Sequence, residues 1–150
     1  MAEMSCSEVM TRDPVFCVPG ETADWVAQLM KREDVGAIPV VESLRERKLV
    51  GIVTDRDLAM AIVAEGRDPK NVRIEEVMSR NPVTCGEGDN LEDAMDLMAE
   101  KQVRRIPIVD GRRGLVGILA QADVATQVDD LAKAGHLVEE ISVSLAVEAD

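Results

Sequence analysis

Apolar positions along this chain alternate between a period of two and a period near 3.6, and the same succession of rhythms occurs twice. A short helical turn ends at Val9-Met10 and is closed by Pro14, because the residue before proline avoids the helical region. Val15–Val18 reads as a short β run, and Gly20 marks the turn out of it. Thr22 is then placed as an N-cap, and Ala23, Val26, Ala27 and Met30 recur at the i, i+3, i+4, i+7 spacing of one helix face. Two β-rich runs follow, Ile38–Val41 and Leu49–Val53, joined by a polar loop. A second helix carries Leu58, Ala59, Ile62 and Val63 as its apolar positions.

The second copy repeats the order. Val77-Met78 and Pro82 close the turn, Gly88 leaves the strand, and Asn90 caps a helix with Leu91, Ala94, Met95 and Met98 on one face. Asp110-Gly111-Arg112-Arg113-Gly114 is a hairpin loop. From Val9–Glu42 against Val77–Asp110 the offset is 68, with 13 identities in 34 positions. The Ser43–Lys48 loop of the first copy is two residues longer, after which Leu49-Val50-Gly51-Ile52 matches Leu115-Val116-Gly117-Ile118 and Asp57 matches Asp123. The chain is a tandem duplication, a signal that decides the fold before any single element does. It predicts an α+β fold of two tandem β-α-β-β-α repeats, residues 1–70 and 71–128, related by pseudo-two-fold symmetry. A C-terminal helix and tail take up residues 129–150, where the alternation of Ile141, Val143, Leu145 and Val147 suggests a strand or docking arm. Each repeat is too small to be stable alone, so the two are expected to share a core.

Composition narrows the function. Phe16 and Trp25 are the only aromatic residues among 150, so the interior has to be aliphatic and base stacking on rings is poorly served. A net charge of −12 argues against a phosphate-backbone footprint, hence against general nucleic-acid binding. No apolar stretch is long enough to span a bilayer, and residues 1–10 hold no signal-peptide core. Cys6, Cys17 and Cys85 are far apart in sequence without a C-x-x-C, and His136 is the single histidine, so zinc spacing is absent and a reduced, cytoplasmic setting is expected. No nucleophile–His pairing and no Walker-type loop is present, which argues against an enzyme.

The ordered motifs "VMTRDPV", "VGAIPVV" and "LVGIVTDRDLA", then "VMSRNPVTC", "VRRIPIVD" and "LVGILAQADVA", resemble the tandem CBS-domain pair, or Bateman module, of the small stand-alone bacterial type. The resemblance runs from about Val9 to Gln127. It implies two quasi-symmetric clefts between repeats that bind AMP, ADP, ATP or another adenosyl compound, and a homodimer signalling to a separate effector protein. On matching positions it also marks Asp13, Val15, Asn81 and Val83 as ligand-contacting residues.

The sharpest local motif is Thr54-Asp55-Arg56-Asp57, where a strand ends and a helix begins. With Thr54 as N-cap, Asp57 is at N3, where a carboxylate can accept both hydroxyls of a ribose, while Thr54 and Arg56 suit phosphate. The same residues also make a capping-box pattern, with no ligand required. In the second copy Ala120 replaces the threonine and Gln121-Ala122 replace Asp55-Arg56, but Asp123 remains. Arg104-Arg105 stand where the first copy has Gly36-Ala37, either as phosphate donors or as a solvated loop. Ala37, Ile38 and Pro39, with Ile106 and Pro107, are placed to flank an adenine and read its edge through backbone groups, or simply to close an edge strand. Cys17 and Cys85 read first as core residues, and Trp25 as an interface or an extra core contact. Two functions stay open: an adenosyl-ligand sensor, and a ligand-free structural or adaptor dimer.

Overall fold

The computed structural model describes residues 4–134. In chain order the elements are α1 (Cys6–Val9), β1 (Thr11–Arg12), α2 (Ala23–Glu33), β2 (Ala37–Val41), β3 (Leu49–Thr54) and α3 (Asp55–Leu58), which continues as a π-helical turn, Ala59–Val63. Two 3-10 turns, Pro69–Asn71 and Ile74–Glu76, lead to β4 (Ser79–Arg80), β5 (Cys85–Gly86), α4 (Leu91–Lys101), β6 (Arg105–Val109), β7 (Leu115–Ala120) and α5 (Gln121–Ala134). The mixed α+β architecture in two tandem repeats is the one the duplication predicts. His136 and the alternating segment Ile141–Val147 lie outside the described residues.

The compact units do not coincide with the repeats. One contains Asp13–Pro82 with Gly111–Leu115, and the other the chain up to Arg12, Val83–Asp110 and the chain from Val116 onward. Each repeat therefore donates its N-terminal segment to the body of the other.

In the unit built on the first repeat, the sheet order is β2-β3-β4, antiparallel throughout, with Ile38 opposite Val53 and Gly51 opposite Arg80. Strand β2 is buried at every position, whereas β3 alternates, as a strand with one wet face must. The core holds Val26, Ile38, Val40 and Val53 of the first repeat together with Ile74 and Met78 of the second. In the other unit the order is β1-β7-β6-β5, with β1 antiparallel to β7 and β5 parallel to β6. Its core combines Ala94, Met98, Ile106, Ile108 and Leu119 with Cys6 and Met10 from the start of the chain. Sharing of the hydrophobic interior thus takes the form of two clusters, each drawing on both repeats.

Glycine makes the exchange possible. A β-carbon on Gly51 would stand 2.8 Å from Met78 Sδ and 2.8 Å from the Ser79 carbonyl oxygen. One on Gly117 would collide with Met10 Sδ and stand 3.0 Å from the Thr11 carbonyl oxygen. Each donated strand lies flat on a central strand only because that strand lacks a side chain there.

Three local details differ from expectation. The run Val15–Val18 shrinks to a single parallel bridge, Cys17 to Val40. Cys17 N–H donates to Pro39 O (3.0 Å) and Val41 N–H to Cys17 O (2.9 Å), so the next donor toward Val15 would be Pro39, which has no N–H. Ala27 is exposed and Leu29 buried, shifting the α2 stripe to Ala23, Val26, Leu29 and Met30. Asn90 caps α4 by accepting from Glu92 N–H (2.8 Å), but the Thr22 hydroxyl donates to Asp24 instead of capping α2.

Candidate functional site

In each unit a strand gives way to a helix at the same place in the repeat. Thr54 ends β3 in extended conformation, φ −115° and ψ 163°, which turns its side chain toward the first turn of α3. The Thr54 hydroxyl accepts from Asp57 N–H (3.1 Å), and Asp57 Oδ2 accepts from Thr54 N–H (2.9 Å). This is a full reciprocal capping box. It engages Oδ2 of the carboxylate of the half-buried Asp57. The capping reading of this motif is therefore realised, and it uses one of the roughly four acceptor sites of the Asp57 carboxylate.

The start of β2 is tied to the same junction. Helix α2 ends with Asp34 in the left-handed region (φ 54°), which redirects the chain through Val35 into Gly36. Asp55 N–H donates to Gly36 O (2.9 Å), and Ala37 pairs with Thr54. Gly36, Ala37, Thr54 and Asp57 are thereby brought together, with Arg56 exposed beside them. Ile38 and Pro39 are buried as whole residues. Asp55 was absent from the sequence-based set. Its N–H fastens the junction and its Oδ1 accepts from Arg56 N–H (2.8 Å), a role legible only in the T-D-R-D order itself.

The junction in the other unit is a weakened copy. Asp123 Oδ2 accepts from Ala120 N–H at 3.3 Å, and Ala120 has no hydroxyl to return the bond. Gln121 N–H donates to Arg104 O (3.0 Å), as Asp55 does to Gly36. Arg104 and Arg105 are both exposed next to this junction, while Ile106 and Pro107 are buried. The second junction has lost a cap and gained two cations.

Four further expected residues lie at the joins between the units or against their cores. Asp13 and Asn81 sit at equivalent points just after β1 and β4, both exposed and both in the left-handed region (φ 46° and 51°). Asp and Asn tolerate that region better than most side chains, and each marks where the chain passes from one unit toward the other. Val15 and Val83 are half-buried and pack against the two cores.

Other reactive groups do not gather here. Burial, with the Glu21 carboxylate nearby, pushes the Cys17 thiol up to about 12, which suits a packing group rather than a nucleophile. Among the described residues, no cluster of three or more His, Cys, Asp or Glu could hold a metal ion, and no helix is long and apolar enough to cross a membrane.

The CBS-domain family model matches residues 6–64 and 74–130. The chain is 42% identical over 138 residues to CBS domain-containing protein YhcV of Bacillus subtilis (strain 168), covering 92% of this chain and 95% of that protein. Among solved structures, CBSX2 in complex with AMP superposes with a TM-score of 0.73 at 26% identity, covering 85% of this chain and 98% of that one. The CBS domain pair of protein MJ0100, in complex with 5-methylthioadenosine and S-adenosyl-L-methionine, gives a TM-score of 0.74 at 25% identity, covering 83% and 98%.

Proposed function

Because the chain belongs to the CBS-domain family, we propose that it is a regulatory module that binds an adenosyl ligand at its two strand–helix junctions. The observation that carries this reading is the Asp57 carboxylate, held by Thr54 N–H through Oδ2 with Oδ1 left for ribose hydroxyls. Asp123 is held in the same way, and two structural relatives are seen with AMP and with adenosyl sulfur compounds. Gly36, Ala37 and Ile38 supply backbone groups for the base at the first junction, and Arg56 a cation for phosphate. At the second, Arg104 and Arg105 take over the phosphate end that Ala120 cannot serve. The module holds its ligand rather than transforming it. Occupancy shifts the population of two arrangements of the chain or of a homodimer, and a separate effector protein reads the shift.

Thermal unfolding of the purified chain with AMP, ADP, ATP and S-adenosylmethionine tests the proposal, beside Asp57→Ala and Asp123→Ala. Occupancy at a hundred times the dissociation constant adds about 2.7 kcal/mol, which for this size raises the midpoint by roughly 5–10 °C. The expected result is such a rise with at least one ligand, lost in Asp57→Ala. No rise with any of them, and only a small drop from Asp57→Ala, would leave a capped helix in a ligand-free adaptor. The exposed Trp25, Met60 and Val63 would then be the surfaces to follow.

A further inference from the structure

The N-terminal segment is fastened along the loop that follows β5. Cys6 N–H donates to Asp89 O (2.9 Å), Ser7 N–H to Glu87 O (3.0 Å) and Leu91 N–H to Met4 O (2.8 Å), while Ser5 bridges Asn90. These bonds seat α1 on the stretch that begins with β5, and Cys6 and Cys85 lie in the same buried cluster, 0% and 7% exposed. The two thiols are near enough for each to act on the ionisation of the other. Their mutual interaction lowers Cys85 and, with burial, raises Cys6, while the carboxylates of Asp89 and Asp93 oppose ionisation of both.

The repeat supplies an internal control. Ile74 is the counterpart of Cys6, and its N–H donates to Glu21 O (2.9 Å) as Cys6 does to Asp89. Cys17 is the counterpart of Cys85. The same seat thus holds one thiol beside isoleucine in one unit and two thiols in the other.

We propose that Cys6 and Cys85 are a modification site, a dithiol that hydroperoxides convert to an intramolecular disulfide joining α1 to β5. The Cys85 thiolate attacks the terminal peroxide oxygen and the O–O bond breaks, giving sulfenic acid and releasing the alkoxide, or hydroxide when the oxidant is hydrogen peroxide. The Cys6 thiol then attacks the sulfenic sulfur, the S–S bond forms and water leaves. Two electrons pass from the pair of thiols to the peroxide, and a dithiol reductant reverses the change. The bond ties down the segment that carries Met10 to Gly117 and leads on to Asp13.

The test treats the whole chain with hydrogen peroxide, then denatures it, alkylates it with N-ethylmaleimide and maps non-reduced peptides by mass spectrometry. Of the three cysteines, only Cys17 should remain alkylatable, with a Cys6–Cys85 cross-linked peptide that dithiothreitol abolishes. The oxidised chain should also unfold at a higher temperature than the reduced one. In Cys6→Ile, which copies the other unit, Cys85 should gain oxygen without any cross-link, and Cys6→Ala serves if isoleucine disturbs folding. Three alkylatable thiols after peroxide, oxygen added to Cys85 of the wild type with no cross-link, or a bond involving Cys17 or a second chain would each overturn the proposal.

Discussion

Met78 Sδ lies 2.8 Å from the point where a β-carbon on Gly51 would stand. Nothing larger than hydrogen fits between the central strand of one repeat and the donated strand of the other. Gly51→Ala is therefore expected to destabilise the fold by about 1–3 kcal/mol, the range for overpacking. Gly117→Ala, against Met10 and the Thr11 carbonyl, should do the same. Gly20→Ala meets nothing within 4 Å and serves as the silent control. Urea unfolding of the three variants gives the comparison; equal midpoints for all three would show that the methionines move aside freely.

The asymmetry between the junctions can be reversed. Ala120→Thr places a hydroxyl where Thr54 has one, able to accept from Asp123 N–H as Thr54 accepts from Asp57 N–H. A capping hydroxyl contributes about 1 kcal/mol, so the variant should be more stable by that order, and Thr54→Ala less stable by the same order. Chemical denaturation measures both. A destabilised Ala120→Thr would mean that this half-buried site has no room for the extra atoms.

Acid should weaken the fold partly through Glu76. Its carboxylate accepts from Arg73 N–H (2.8 Å) and pairs with Arg67 (2.9 Å), and these bonds hold it below the usual glutamate range, the backbone bond most. The folded value is depressed, so the stabilisation is present above the unfolded glutamate value near pH 4.3 and is lost as pH falls through the folded value. Denaturation midpoints from pH 6 to pH 3 should therefore decline less steeply in Glu76→Gln than in the parent. Parallel declines would remove Glu76 from the account.

Ile38 separates packing from recognition. Its side chain is fully buried, so Ile38→Val should cost about 0.5–1.5 kcal/mol of stability. In the proposed site Ile38 contributes backbone groups alone, so the affinity for whichever adenosyl ligand binds should be unchanged in a calorimetric titration. A large loss of affinity with intact folding would assign the side chain a direct contact.

Much of this organisation was legible in the sequence, and the missing parts have identifiable causes. The duplication, the α+β class and the Thr54–Asp57 junction rest on long periodic stretches or on a motif with a local mechanism. The exchange of N-terminal segments rests on β1 and β4, two residues each, too short to show any period. Its trace in the sequence is the pairing of Gly51 and Gly117 with methionines in the opposite repeat, which no local pattern announces. The first strand was overestimated because its length depends on a donor that Pro39 withholds from across the sheet. Asp13 and Asn81 take a left-handed turn ahead of proline, a conformation that the sequence alone does not announce.

The crossed assignment of segments also sets an order of events during synthesis. Thr11 and Arg12 are made early, but their partner strand β7, which begins at Leu115, follows only after more than a hundred further residues. They have to travel unpaired while the intervening chain is produced, a non-local closure of the kind that slows folding. The body of the first repeat can begin to assemble meanwhile, completed by Ile74 and Met78 as these appear. The strand β1 is thus paired late, and a nascent chain stalled before β7 leaves it without its partner strand, open to a chaperone or a protease.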